Sequence, residues 1–216
     1  MNRFNAVIFD LDGVITDTAH YHHLAWKRLA EAEGVAFDAA FNERLKGIDR
    51  MGSLELILAA APRHYSLERK LELAELKNLH YQDLIADMSP ADLLPGALEA
   101  LEQVRGAGLS IGLASVSRNA FTVLDRLGIG ARFDYVVDAA TVARGKPDPE
   151  IFLKAARELG VLPRACLGVE DAVAGVASIK AAGMVALGVG DPAILAQADR
   201  VIAGLAQFRL DDYQSM

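Results

Sequence analysis

Short apolar runs alternate with longer stretches of helical spacing along most of the chain. Residues 6–9 (Ala-Val-Ile-Phe) are apolar throughout and end at Asp10, so they predict a buried strand that runs into a polar turn. Similar runs predict strands at 110–114, 135–137, 165–169, 184–188 and 200–202. Between the strands, apolar residues recur every three or four positions over 97–104, 120–127, 150–159 and 172–182, which predicts core-facing helices. This alternation predicts an α/β fold with a doubly wound, three-layer parallel-sheet core.

The segment 18–90 breaks this alternation. It contains helical patterns at 22–33, 38–45, 53–60 and 67–85 and no convincing strand, with glycine and proline between the patterns. We therefore predict an α/β core made of residues 1–17 and 91–216, and an inserted helical cap domain made of residues 18–90.

The composition narrows the class of protein. The chain has 216 residues and a net charge of −7, from 22 Lys and Arg against 29 Asp and Glu, which argues against binding to nucleic-acid backbones. Its single cysteine, Cys166, excludes an intrachain disulfide. No apolar run approaches the roughly 18 residues of a membrane span, and the sequence has no recognisable targeting signal. We expect a cytoplasmic monomer with no nucleic-acid or membrane partner.

Polar residues follow the predicted strands at the positions where a parallel sheet would collect them. They are Asp10 and Asp12, Ser115, Lys146, and Glu170 with Asp171. Ligands bind outside the carboxyl ends of strands in open α/β sheets, so we expect these groups to share one crevice. Crowded carboxylates repel, and a hard cation such as Mg²⁺ relieves that repulsion. With Lys146 and the Ser115 hydroxyl nearby, the pattern favours metal-assisted phosphoryl transfer.

The sequence offers a carboxylate as the nucleophile for this chemistry. We find no serine or cysteine with a suitable neighbouring histidine, and no glycine-rich nucleotide loop of the G-x-x-x-x-G-K-[ST] type. An aspartyl-phosphate intermediate would divide the transfer into two steps and would need a second group to move a proton. Asp12 is placed for that second role.

These residues resemble the four motifs of the haloacid dehalogenase superfamily, in order along the chain. The motifs are residues 9–18 (Phe-Asp-Leu-Asp-Gly-Val-Ile-Thr-Asp-Thr), Ser115, Lys146-Pro147 and Glu170-Asp171. The two aspartates of the first motif match the phosphotransferases of that superfamily. The helical insertion is similar to its small cap, which closes over the site and selects substrates.

A narrower set of residues resembles the β-phosphoglucomutase family. It comprises residues 12–18, His22, Ala25-Trp26, 41–43, 45–48, Arg50, Ser53, 77–78, 89–92, 95–96 and 113–119. The resemblance implies interconversion of β-D-glucose 1-phosphate and β-D-glucose 6-phosphate. It also implies an aspartyl-phosphate enzyme, β-glucose 1,6-bisphosphate as activator and intermediate, and Mg²⁺ as cofactor.

The resemblance also implies residue roles. Asp10 would be the phosphorylated nucleophile and Asp12 the general acid and base, while His22 would couple cap closure to Asp12. The metal ligands would be Asp10, Asp12 through its backbone carbonyl, Glu170 and Asp171. The implied substrate-binding residues are Trp26, Gly47, Arg50, Ser53, Lys77, Ser115, Val116, Ser117, Arg118, Asn119 and Lys146. Within that set, Arg50, Ser117 and Asn119 would grip the distal phosphate, where a guanidinium suits two oxygens.

Three positions depart from the family pattern. Asp49 replaces a serine and adds a negative charge beside the residues expected to bind the distal phosphate, whereas Val116 and Arg118 replace alanine and lysine.

Two other functions stay open. One alternative is a sugar-phosphate phosphatase with the same nucleophile and metal, in which water accepts the phosphoryl group. The other is a noncatalytic sugar-phosphate sensor, which the intact motif residues argue against.

Overall fold

The computed structural model describes residues 3–45 and 48–214. Its six strands are β1 (Ala6–Phe9), β2 (Ser110–Leu113), β3 (Tyr135–Val136), β4 (Cys166–Glu170), β5 (Val185–Val189) and β6 (Arg200–Ile202). All adjacent pairs are parallel, in the order β3-β2-β1-β4-β5-β6. Each predicted strand boundary lies within one residue of the observed one.

Eight α-helices accompany the strands in the described residues. They are α1 (Ala19–Ala32), α2 (Ala39–Glu43), α3 (Arg50–Leu58), α4 (Leu67–Leu84), α5 (Ala97–Gly106), α6 (Ala120–Arg126), α7 (Glu150–Glu158) and α8 (Val173–Ala181). The predicted starts of α1 and α3, at residues 22 and 53, were three residues late. For α3 the reason is visible, because the Asp49 side chain caps the helix one turn earlier than the apolar pattern indicated. Among the described residues, no helix is long and apolar enough to cross a bilayer.

The central strand β1 is buried on both faces of the sheet. Val7 and Phe9 pack in one apolar cluster with residues of α5 and α6, whereas Ala6 and Ile8 pack in another with residues of α7 and α8. Successive side chains of a strand point to opposite faces, so a strand between two helical layers must be apolar at every position. The doubly wound, three-layer α/β prediction is confirmed.

The winding direction of the sheet reverses beside β1. The chain moves from β1 to β2 and β3 on one side, then returns to place β4 against the other side of β1. Ligands bind in the crevice at such a switch point. Here the register pairs Phe9 with Val169, so the residues after β1 and those ending β4 meet at one point.

Helices α1 to α4 have their own apolar cluster, which includes Trp26, Leu29, Leu54 and Leu73. The described residues of the segment 18–90 contain no strand. A few of its side chains, including Ala25 and Tyr81, pack instead into the sheet-side cluster with Phe9. The helical segment is therefore seated directly on the sheet-containing part of the molecule.

Candidate active site

The turn after β1 brings Asp10 and Asp171 close together. The Asp10 backbone N–H donates to the Val169 carbonyl at 2.9 Å, which joins the ends of β1 and β4. Gly13 has a φ of +76°, and a Cβ there would lie only 2.1 Å from Asp171 Oδ2. Only glycine suits this position, because the turn needs the left-handed conformation and the carboxylate occupies the space of a side chain.

Three carboxylates and one lysine form the centre of the crevice. Asp10, Glu170 and Asp171 each place an oxygen within 4.8 Å of the others. Lys146 is 4% exposed, and its Nζ donates to Asp10 Oδ1 at 2.8 Å and to Glu170 Oε2 at 2.7 Å. The peptide bond between Lys146 and Pro147 is cis.

The electrostatics of this centre favour a bound cation. Burial opposes the charged form of Lys146, but attraction to Asp10 and Glu170 raises its pKa above the usual value. Burial, reinforced by the charge on Asp10 and opposed by Lys146, raises the pKa of Glu170 to about 8. Three carboxylates lie within 4.8 Å of one another, and a set of carboxylate oxygens is the donor chemistry that suits Mg²⁺. The residues present therefore fit this metal.

Asp12 lies at the edge of the same centre with different surroundings. Its Oδ1 is buried and has no hydrogen-bond partner among the described residues. Burial, and next the charge on Asp10, raise the pKa of Asp12 to about 8. A carboxyl group that titrates near neutral pH can both donate and accept a proton. Its carboxylate is not one of the three grouped oxygens.

The helical segment places a buried lysine opposite Asp12. Lys77 Nζ lies 2.7 Å from His22 Nδ1, and 4.6 Å and 4.8 Å from the ring centroids of Trp26 and Tyr81. The His22 ring stacks on Tyr81 with centroids 4.1 Å apart. Burial and the charge on Arg50 lower the pKa of Lys77 to about 7, although the charge on Asp12 acts in the opposite direction. Burial and the charge of Lys77 also lower the pKa of His22.

Two guanidinium groups also line the pocket, those of Arg50 on α3 and of Arg118 between β2 and α6. Burial, and then the neighbouring charge of Arg118, lower the pKa of Arg50. Arg50 Nη2 donates to Asn78 Oδ1 at 2.8 Å, and Asn119 Nδ2 donates to the same oxygen at 2.9 Å. Two like charges facing one pocket make it suitable for an anion with several oxygens, such as phosphate.

One pocket collects most of the residues predicted from the sequence. Those that line it are Asp10, Asp12, His22, Trp26, Arg50, Ser53, Lys77, Val116, Ser117, Arg118, Asn119 and Asp171. Ser115, Lys146 and Glu170 are buried behind these residues. There Ser115 Oγ accepts from the Ser117 backbone N–H at 3.1 Å. Gly47 lies outside the described residues.

Three residues of α4 contribute to the site without having been predicted. Asn78 joins Arg50 to Asn119 through hydrogen bonds, and Gln82 Nε2 donates to Asn119 Oδ1 at 3.1 Å. The ring of Tyr81 stacks on that of His22. A helical signal was available, because Lys77 and Tyr81, like Asn78 and Gln82, are spaced four residues apart and share a helix face.

Comparison with known proteins assigns the chain to a family. Residues 4–183 match the family model described as haloacid dehalogenase-like hydrolase. A β-phosphoglucomutase of Bacillus subtilis strain 168 is 51% identical over 208 residues, which are 95% of this chain and 92% of that protein. A phosphorylated carbohydrates phosphatase of Thermotoga maritima is 34% identical over 182 residues, 83% of this chain and 82% of that protein.

A solved structure agrees with the sequence comparison. The crystal structure of a β-phosphoglucomutase from Clostridium difficile is 44% identical and superposes with a TM-score of 0.95, covering 98% of this chain and 96% of the other. The similarity therefore extends over the helical segment as well as the sheet.

Proposed function

Because the chain belongs to the haloacid dehalogenase-like hydrolase family, we propose that it acts as a β-phosphoglucomutase. The reaction would interconvert β-D-glucose 1-phosphate and β-D-glucose 6-phosphate through β-glucose 1,6-bisphosphate. The high identity to a β-phosphoglucomutase over almost the whole chain carries this proposal. We expect the enzyme to act as a monomer in the cytoplasm.

In this mechanism the core residues transfer the phosphoryl group. An Asp10 oxygen attacks the phosphorus of the bisphosphate, and the bond from phosphorus to the sugar oxygen breaks. Asp12 donates a proton to that leaving oxygen, and it removes a proton from the sugar hydroxyl when the phosphoryl group returns. Lys146, held between Asp10 and Glu170, orients the nucleophile and faces the transferred oxygens together with Ser115.

Mg²⁺ would be held by Asp10, Glu170, Asp171 and the backbone carbonyl of Asp12. When bound, it would neutralise negative charge on the transferring phosphoryl group and on the surrounding carboxylates.

We further propose that residues 18–90 form a cap domain on a core of residues 1–17 and 91–216. Arg50 would grip the distal phosphate together with Arg118, Ser117 and Asn119. The sugar would lie against Trp26, Ser53 and Lys77, with Gly47, Val116 and His22 around it. A mutase must expose its aspartyl phosphate to a sugar hydroxyl and not to water, which a closed cap achieves by excluding solvent.

A sugar-phosphate phosphatase is the second candidate. It is favoured by the similarity to the Thermotoga phosphatase, and it would use the same nucleophile and metal. The two functions differ in the acceptor of the phosphoryl group, which is a sugar hydroxyl in one and water in the other.

The deciding experiment is ³¹P NMR of the purified protein with Mg²⁺, β-glucose 1-phosphate and a trace of glucose 1,6-bisphosphate. We expect glucose 6-phosphate to accumulate, and to be absent with Asp10→Asn. Free phosphate as the dominant product would establish the phosphatase. Unchanged substrate in both samples would refute both candidates for this sugar.

A further inference from the structure

The helical segment touches the catalytic lysine loop at one unusually close point. A Cβ built on Gly145 would lie 2.7 Å from Asp49 Oδ2 and 3.4 Å from the Cβ and Cγ atoms of Asp49. Gly145 is not among the glycines with positive φ, so its backbone would accept an L side chain. The glycine is therefore needed for the closeness of Asp49 and not for the local backbone conformation.

The Asp49 side chain cannot easily move away from this contact. Its Oδ1 accepts from the backbone N–H groups of Met51 at 2.9 Å and Gly52 at 3.0 Å, which caps the start of α3. Rotating the carboxylate would leave those two groups without their partner. A larger residue at position 145 would therefore push the whole start of α3, including Arg50, away from the core.

The contact also faces a cavity that adjoins the active site. This cavity has a volume of about 340 Å³ and is lined by both Asp49 and Gly145. It shares Arg50, Val116 and Arg118 with the active-site pocket. The two spaces therefore adjoin at these residues, and a displacement of α3, which begins at Arg50, would alter the boundary between them.

We propose that Asp49 and Gly145 form a docking contact that sets how closely the cap closes on the core and thereby protects phosphorylated Asp10 from water. Both are positioning residues, because they act through α3 and through the loop that carries Lys146. The inference rests on the proposed mutase function.

The test replaces Gly145 with alanine and measures the fate of the phosphoryl group. ³¹P NMR gives the ratio of inorganic phosphate to glucose 6-phosphate formed from β-glucose 1-phosphate with Mg²⁺ and glucose 1,6-bisphosphate. We expect Gly145→Ala to raise this ratio roughly tenfold, since a misplacement of about 1 Å can change a rate by about a hundredfold. A purely structural role would lower both products together and leave the ratio unchanged.

Rescue identifies Asp49 as the obstructing group. Serine is shorter than aspartate and also caps helices, so Asp49→Ser should relieve the crowding without uncapping α3. We expect the double variant Asp49→Ser/Gly145→Ala to return toward the wild-type ratio, which is a coupling that two independent sites would not show. Gly106→Ala is the matched control, since a Cβ at Gly106 meets nothing within 4 Å. It should leave the ratio at the wild-type value.

The outcomes separate this inference from the function it rests on. An unchanged ratio in Gly145→Ala, or a double variant no better than that single one, overturns the docking contact while the wild-type mutase stands. A wild-type protein that sends every phosphoryl group to water overturns both. If Gly145→Ala fails to fold, Asp49→Glu replaces it as the test, because the longer side chain should crowd the same contact. An unchanged ratio of inorganic phosphate to glucose 6-phosphate in Asp49→Glu also overturns the inference.

Discussion

The two walls of the pocket carry opposite charges and are built in different ways. On the sheet side, Asp10, Glu170 and Asp171 are placed by the register of adjacent strands, and Lys146 pairs with Asp10 and Glu170. On the helical side, Lys77 and Arg50 project from helices and are held by aromatic rings and amide oxygens. The sheet wall therefore suits a cation and the helical wall an anion, which the proposed Mg²⁺ and phosphorylated sugar would supply.

The sheet wall is suited to rigid positioning, and the helical wall to selectivity. Strand ends joined by backbone hydrogen bonds hold reacting groups in fixed positions, as catalysis by preorganised charges requires. Side chains on a separate set of helices can move together with those helices. Substitutions on each wall should therefore have different consequences.

The sheet wall should depend on Lys146 for its stability. Lys146→Met leaves Asp10 and Glu170 buried without their cation, and breaking a buried ion pair from one side costs about 3–5 kcal/mol. We expect a loss of that size in the free energy of unfolding, measured by urea denaturation without added Mg²⁺. The matched control is Lys180→Met, because Lys180 pairs with Asp199 at the surface and should cost below about 1 kcal/mol. Equal losses in the two variants would contradict the role of Lys146.

The free energy of unfolding should depend on pH because of Lys77 on the helical wall. Its pKa is about 7 in the folded protein, below the ordinary lysine value of 10.5, so between these values the unfolded chain binds more protons than the folded one. The destabilisation from burying this amine is fully present below pH 7 and disappears as the pH rises toward 10.5. Relative to Lys77→Met, the wild type should gain about 1.4 kcal/mol per pH unit within that window. Urea denaturation of both proteins at pH 7, 8 and 9 measures this gain. If the free energies of unfolding of the two proteins change equally with pH, the prediction is wrong.

The anion grip should require a guanidinium at position 50. Arg50→Lys keeps the charge but loses the planar fork that binds two phosphate oxygens and the contact to Asn78. We expect KM for glucose 1,6-bisphosphate to rise about tenfold, which corresponds to about 1.4 kcal/mol, with a smaller change in kcat. Steady-state kinetics measure the split. Arg164→Lys, at an exposed turn, should change neither constant. An unchanged KM in Arg50→Lys would place the distal phosphate elsewhere.

Much of the sheet wall was accessible from the sequence because its signals are local. The uninterrupted apolar run before Asp10 is what a strand buried on both faces requires, and the strand boundaries agree closely with prediction. The helical wall was less accessible. The apolar spacing placed the start of α3 too late, since the Asp49 cap and the polar Arg50 lie outside the apolar stripe.

The succession of strands and helices along the chain, and the residues that end each strand, follow from the sequence, because hydrophobic periodicity and capping act over neighbouring positions. Parallel topology then brings strand ends together whatever the details of packing. Three contacts required the folded structure: Lys146 lies between Asp10 and Glu170, Asn78 joins Arg50 to Asn119, and Asp49 lies close to Gly145. These contacts join residues far apart in the chain, and their distances depend on how the helices are seated on the sheet, which no local pattern encodes.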